Sequence, residues 1–329
     1  MRLVTFKTNE MSERAGSLVN DGQSVVDLNL AFSHKYGETS CLLTSVQAMA
    51  ENSEEALSVA NDLLNNPPSD SIFKRTDVHL RAPIQPPAQM RDFSCFELHL
   101  EQSFAAARRM RSARSPDPEK AYQESDTRVD DLVMKTVRRQ PIYYKANRFA
   151  VIGADDDVVW PSYSKMLDFE LEWGCYIGIP GKDISKAQAR DHIFGYTIFN
   201  DISARDAQGR EMGGQLGPAK GKDFDTANVM GPCLVTPDEL GDPYDLEMIV
   251  RINGKEYGRG NTGDMLWTFD DVIGHVSQSE TLHSGEFLGS GTVGNGSGLE
   301  QLKFLKPDDI IELEVAKIGI LRTRITKPC

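Results

Sequence analysis

From about residue 88 onward the chain is cut by glycine and other turn formers into short apolar runs: FELEWGCYIGIP, HIFGYTIFNDIS, EMIVRINGKEY, GEFLGSGTVG and DDIIELEVAKIGILRTRI. Runs this short, alternating and bounded by turn residues carry the period of strands. They restrict the segment to a β-rich architecture with a few helices, so the expected fold class is α+β, predominantly β. Residues 1–82 read as a small N-terminal α+β domain. There MRLVTFKT and QSVVDLNLAF are expected as strands around the turn signal NDGQ, and LLTSVQAMAENSEEALSVANDLL as a helix before the stop NNPPSD. The proline-rich stretch APIQPPAQ sets the boundary, leaving 83–329 as the second domain. Within it, residues 108–140 are rich in Arg, Asp, Pro and Ser and read as a polar, helical, mobile insertion. No repeat of 20 to 50 residues is present.

A net charge of -13 repels phosphate backbones, and the one dense basic cluster, Arg108, Arg109, Arg111 and Arg114, is too short for a nucleic-acid footprint. That cluster is either a solvated helix face or a source of a guanidinium for an anionic substrate. No run approaches the roughly 18 apolar residues of a membrane helix, and the N-terminal MRLVTFKTNEMSERAG lacks a signal-peptide core, so a cytoplasmic location without membrane contact is expected. Five scattered cysteines, Cys41, Cys95, Cys175, Cys233 and Cys329, show no CxxC or Cys/His spacing and are expected as reduced, packed thiols.

The chemistry concentrates in DFELEWGCYIG, residues 168–178. Residues two apart in a strand share a face, so Glu170 and Glu172 converge while Leu171 and Trp173 point into packing. Alone, such a pair reads as the wet face of an edge strand. Two other stretches argue for a polar site. In FNDISARDAQ, Asp201 ends an apolar strand and is followed by Arg205 and Gln208; in RDFSCFELH, Asp92 precedes His99.

Together these stretches, with LGPAKGKDFDTANVMGP and GDMLWTFDDVIGHVSQSETLHSGEFLGSGTVG, resemble the fumarylacetoacetate hydrolases, a family of metal-dependent enzymes that cleave or rearrange small oxo acids. The resemblance spans residues 88–329 and implies the family's mixed β-sandwich or β-roll C-terminal domain and a homodimer. It implies a metal held by Asp92, Glu170, Glu172 and Asp201, for which hard oxygen donors suit Mg²⁺, with Ca²⁺ or Mn²⁺ as alternatives. Lys222 and Arg205 would compensate the carboxylate charge, and Gln208 would contact the substrate. His99 would be the base, oriented by Glu300, a pairing that fixes the tautomer and raises basicity at the other ring nitrogen. Thr292 would bind the substrate carboxylate, and Arg108, with Arg109 as an equal choice, its distal acid group. Where the animal enzyme has a tyrosine two residues after its first metal Asp this chain has Ser94, and Tyr144 of PIYYK is the residue that would restore a phenol.

The expected activity is hydrolysis of a carbon–carbon bond in an acylpyruvate or fumarylacetoacetate-like 1,3-diketo acid. A decarboxylase, tautomerase or dehydratase acting on an oxaloacetate-like or 2-keto-3-deoxy sugar acid is the alternative, since the family shares its metal site among these reactions. A non-catalytic metal-binding protein is the third reading.

Overall fold

The computed structural model describes residues 1–327, so Cys329 lies outside the described residues. The N-terminal part supplies β1 (Arg2–Lys7), β2 (Arg14–Val19), β3 (Ser24–Asp27), α1 (Leu28–Tyr36), α2 (Val46–Glu51), α3 (Ser53–Leu64) and β4 (Ile72–Lys74). Two sequence expectations fail here for local reasons. QSVVDLNLAF is a strand only to Asp27; the Asp27 carboxylate then caps α1 by accepting from Leu30 N, and the chain turns helical. The long helix expected over LLTSVQAMAENSEEALSVANDLL is broken at Asn52, which ends α2 and opens α3. NDGQ is a turn as expected, with Asn20, Asp21 and Gly22 at positive φ, but the strand before it is β2.

Further along come β5 (Met90–Phe93), α4 (Glu97–Ser112), α5 (Pro118–Gln123), α6 (Arg128–Val137) and β6 (Tyr143–Lys145). They are followed by β7 (Leu171–Ile177), β8 (Ile193–Asp201), α7 (Arg205–Glu211), α8 (Ala219–Lys222) and β9 (Asn228–Val235). The C-terminal third adds β10 (Glu247–Ile252), β11 (Lys255–Asn261), α9 (Phe269–Val276), β12 (Phe287–Gly289), α10 (Gly298–Gln301), β13 (Ile310–Val315) and β14 (Gly319–Thr326). The expected polar insertion is helical, as α5 and α6 with the end of α4.

A 12-stranded sheet has ten strands in the order β4-β3-β2-β1-β9-β8-β7-β12-β5-β6, and two short strands off this path, His79–Leu80 on β1 and Val151–Ile152 on β9. It crosses the 82/83 boundary without a break, because β1 pairs antiparallel with β9 through Arg2↔Val235 and Leu3↔Leu234. One face packs on a second, five-stranded sheet containing β11, β10, β13 and β14. The opposite face packs on the N-terminal helices, with Leu28, Val46, Met49 and Leu63 against Tyr176, Phe199 and Phe287. The fold is α+β and mainly β, as read from the sequence.

Strand β7 is central, between β8 and β12, and buried along its whole length. It is not the edge strand that an isolated pair of glutamates suggests. Leu171 and Trp173 lie in the core between the sheets, where Trp173 stacks on Tyr196 at 5.4 Å and meets Phe269 edge-on at 4.9 Å. Aromatic contacts of this kind fix the strand's rotation, worth about 0.5–1.5 kcal/mol each beyond burial. Glu172 consequently faces the other way. Of the thiols expected to be packed, Cys95, Cys175 and Cys233 are buried free cysteines, but Cys41 is exposed.

Candidate metal centre and base

The sheet brings three carboxylates from separate strands to one place. Asp92 comes from β5, Glu172 from β7 and Asp201 from the last position of β8, and an oxygen of each lies within 4.8 Å of an oxygen of the others. Strand β12 separates β5 from β7, and at the crossing its residue is Gly289, paired with Asp92 on one side and Gly174 on the other. Any side chain at 289 would collide with Asp92 Oδ1, so glycine leaves the space through which the carboxylate reaches its partners.

All three acids are buried, and their mutual repulsion is only partly offset by the one cation in contact among the described residues, Lys222 on Asp201. Burial and the neighbouring Asp201 raise Asp92 to about 7. Burial with Asp92 and Asp201 pushes Glu172 well above the carboxylate range. Burial likewise raises Asp201, against the pull of Lys222, to about 6. Glu172 Oε2 and Asp201 Oδ1 are buried with no hydrogen-bond partner. Orphaned anionic oxygens at this depth cost several kcal/mol unless a cation meets them. Three converging carboxylates, two of which carry an unsatisfied oxygen, fit a hard divalent ion.

Glu170, expected as a fourth ligand, is not among the three whose oxygens converge, and it is held between two cations. Arg205 Nη2 donates to its Oε1 at 2.7 Å and Lys222 Nζ donates to its Oε2. Burial alone would raise its pKa, but Arg205 and Lys222 overcome that and leave it below the ordinary carboxylate range. Glu170 precedes β7, in an isolated bridge to Ser297, yet it stays close enough for its charge to help raise Asp92, Glu172 and Asp201. Lys222 also donates to Asp201, joining the two groups of acids. Burial opposes its charge, but Asp201 and Glu170 outweigh that and raise its pKa, so it stays an ammonium.

His99, on the first turn of α4, sits at 2.7 Å through Nδ1 from Glu300 Oε1 on α10. Its Nε2 lies 3.9 Å from Glu170 Oε1 and 3.4 Å from Ser103 Oγ. Glu300 is fixed in turn, since its Oε2 accepts from Ser297 N in a capping box. A second clasp joins the same elements: Gln102 Nε2 donates to Asn295 Oδ1 at 2.8 Å, and Asn295 N donates to Gln102 Oε1 at 3.0 Å. This clasp is not evident in the sequence, because nothing links residues 102 and 295 before the fold does.

The remaining expected residues divide. Tyr144 on β6 stands opposite Asp92 and donates to Asp201 Oδ2 at 2.6 Å, so the phenol is at the centre. Gln208 is adjacent, its Oε1 accepting from Arg205 Nη1 at 3.0 Å. Thr292, expected on the substrate, donates to Glu172 Oε1 at 3.0 Å and so orients one carboxylate of the cluster. Arg108 is not brought in. Nine residues after His99 on one helix, it points about 180° away, and it pairs with Asp130 in a groove between α4 and α6. Its alternative Arg109 lies over the Tyr122 ring at 4.1 Å. Asp168, missed by sequence reasoning, is fully buried beside Arg205; its position two residues before Glu170, in a D-x-E-x-E alternation, was the available signal.

A family model described as the fumarylacetoacetate hydrolase C-terminal domain matches residues 117–326, a stretch that begins after Asp92 and His99. Oxaloacetate tautomerase fahd2, mitochondrial, of Xenopus laevis is 30% identical over 98% of this chain and 89% of its own length. Oxaloacetate tautomerase FAHD2A, mitochondrial, of Homo sapiens is 36% identical over 57% of this chain and 60% of its own length, so less than two thirds of that relative is spanned. Among solved structures, a probable 2-hydroxyhepta-2,4-diene-1,7-dioate isomerase from Mycobacterium abscessus superposes with a TM-score of 0.71 at 25% identity, each chain covered in full. Maleylpyruvate hydrolase from Sphingobium sp. SYK-6, solved with manganese(II) and pyruvate, superposes over the full length of both chains with a TM-score of 0.71 at 18% identity, a likeness of fold. No helix among the described residues is long and apolar enough to cross a membrane.

Proposed function

The chain belongs to the fumarylacetoacetate hydrolase family, and from that premise we propose that it is a metal-dependent enzyme interconverting the keto and enol forms of an oxaloacetate-like 2-oxo acid. The observation that carries the proposal is the His99–Glu300 pair, whose Nε2 lies 3.9 Å from Glu170, the acid that shares Lys222 with the carboxylate cluster. A carboxylate on Nδ1 holds the proton there and leaves the Nε2 lone pair facing the cluster. Nε2 is thus placed to take a proton from the carbon between two carbonyl groups and to return it to oxygen, or the reverse.

A divalent ion on Asp92, Glu172 and Asp201, Mg²⁺ or Mn²⁺, would supply Lewis acidity at the 2-oxo group. Lys222 and Arg205 place fixed positive charge where the enolate oxygen develops, buried and therefore little screened. Gln208, with its carbonyl engaged by Arg205, has its amide N–H groups left for the substrate carboxylate. Oxaloacetate is placed first because a relative aligned along nearly the whole chain is named an oxaloacetate tautomerase.

A second reading, hydrolysis of an acylpyruvate, draws on the same pair, since a His oriented by a carboxylate also activates water. Chelator-stripped protein, with and without Mg²⁺ or Mn²⁺, should be offered oxaloacetate and acetylpyruvate, with enol absorbance and product masses recorded. Metal-dependent keto–enol interconversion of oxaloacetate is expected, reduced but not abolished by Glu300→Gln. Cleavage of acetylpyruvate with no effect on oxaloacetate, lost in Glu300→Gln, would transfer the assignment to the hydrolase.

A further inference from the structure

The base and the cationic cluster meet at one buried side chain to which neither the comparisons nor the sequence assign a role. Asp168 Oδ2 accepts from Arg205 Nε at 2.8 Å and from Leu299 N at 2.9 Å; Oδ1 accepts from Gly298 N at 2.8 Å and Phe169 N at 2.9 Å. Both oxygens are therefore committed, in a fully buried carboxylate. Arg205 carries the connection on to Glu170 and Gln208, while Gly298 and Leu299 open α10, whose Glu300 holds His99. A short bridge, Leu167–Asp168 against Ser203–Ala204, sets Arg205 against this carboxylate. On the other side Gly298 packs so closely that a Cβ there would strike Asp168 Oδ1.

We propose that Asp168 is a positioning residue that fixes the distance between the base and the cationic cluster by gripping Arg205 with one oxygen and the start of α10 with both. It touches neither His99 nor the carboxylates that would hold a metal, and acts through Glu300 and Arg205. A fixed separation matters because misplacing a reacting group by about 1 Å can cost on the order of 100-fold in rate. Asp168→Asn has one acceptor oxygen in place of two, so it keeps either Arg205 Nε with Leu299 N or Gly298 N with Phe169 N, but not all four. At least one bond to α10 is lost in either orientation, and the simultaneous grip is broken while side-chain volume is kept.

This inference rests on the proposed roles of His99 and Glu300, so its test has an arm that needs no turnover. In the full-length Mn²⁺-loaded protein with oxaloacetate as probe, Asp168→Asn should lower kcat at least tenfold and change KM less than threefold. Mn²⁺ affinity, read by paramagnetic resonance, should stay within threefold. The double variant Asp168→Asn, Glu300→Gln should lose little beyond the larger single effect, as residues acting through one another are non-additive. Full additivity, or an unchanged kcat, overturns the proposal. If oxaloacetate is not interconverted by the parent protein the functional reading falls, and hydrogen exchange decides alone. Peptides covering 203–209 and 297–303 should both exchange faster in Asp168→Asn; faster exchange in only one of them, or in neither, overturns the coupling. Should Asp168→Asn fail to fold, Asp168→Glu, which keeps the charge opposite Arg205, is read by the same measures.

Discussion

At the scale of single residues, the centre is a set of buried charges whose sum is wrong without a cation. Lys222 balances Glu170 and one oxygen of Asp201, yet Glu172 and the other oxygen of Asp201 remain unanswered. Glu172→Gln removes one repelling charge at constant shape, and its retained carbonyl still accepts from Thr292. A carboxylate raised by burial and like charges is held protonated at low pH. Its cost to stability therefore appears as pH rises above the ordinary carboxylate range toward the raised folded value. Metal-free Glu172→Gln is accordingly expected to melt about 2 °C or more above the parent protein at pH 7.5, with a smaller gain at pH 5. It should also lose the stabilisation by Mn²⁺ expected of the parent, and thermal scans with and without the ion check both. Lys222→Met should leave the fold intact and lower kcat about 10² to 10³-fold, the cost of removing one donor at a developing oxyanion; steady-state kinetics on the probe acids check this. A Lys222→Met enzyme retaining parental kcat would remove the lysine from the chemistry. Part of this scale was legible: residue type and spacing drew attention to Glu170, Glu172, Asp201, Arg205, Asp92 and His99, whereas Lys222 and Glu300 came only with the family resemblance. Spacing could not say that Glu170 faces Arg205, because the break between Asp168 and β7 depends on pairing partners remote in sequence.

At the scale of elements, alternation along β7 does most to build the site. One face, Leu171 and Trp173, is locked into the inter-sheet core, and this presents Glu172 to the opposite side. Gly289 on β12 is the complementary device, an absent side chain that lets Asp92 lean across a strand. Gly289→Ala should weaken Mn²⁺ binding at least tenfold, as titrated by paramagnetic resonance, while far-UV circular dichroism stays unchanged. Unaltered affinity would mean that Asp92 is not required. Strand periods of two were visible in the sequence, and the strands expected after residue 88 are found with small shifts. Helix boundaries were less so, because they turned on single side chains: Asp27 by capping α1, Asn52 by interrupting what looks like one helix. Arg108 illustrates the same limit, since its distance from His99 along α4 is fixed while its direction depends on the helix phase.

At the scale of the molecule, the N-terminal segment and the remainder share one sheet and both cores. Strand β1 covers the edge of β9, and Val4, Phe6 and Val25 lie in the same core as Trp173. The N-terminal helices cover the face bearing Tyr176, Phe199 and Phe287. A fragment of residues 83–329 would bare that apolar face and an unpaired strand edge, a state prone to association. It is expected to be insoluble or to unfold without a sharp transition, whereas the full chain melts cooperatively; calorimetry on both tests this, and a sharp, reversible transition in the fragment would show that it folds independently. The proline-rich boundary was visible in composition, but the continuity across it was not, since a strand's partner is set by tertiary packing.

Asp92, Glu172 and Asp201 come from strands that become neighbours only when β5, β12, β7 and β8 all stand in register. A slip of one residue in β7 would bring Leu171 or Trp173 where Glu172 belongs, and three oxygens would no longer converge. An ion held there would therefore act as a checksum on the assembled sheet, lending its free energy to the one correctly threaded chain and nothing to its near misses.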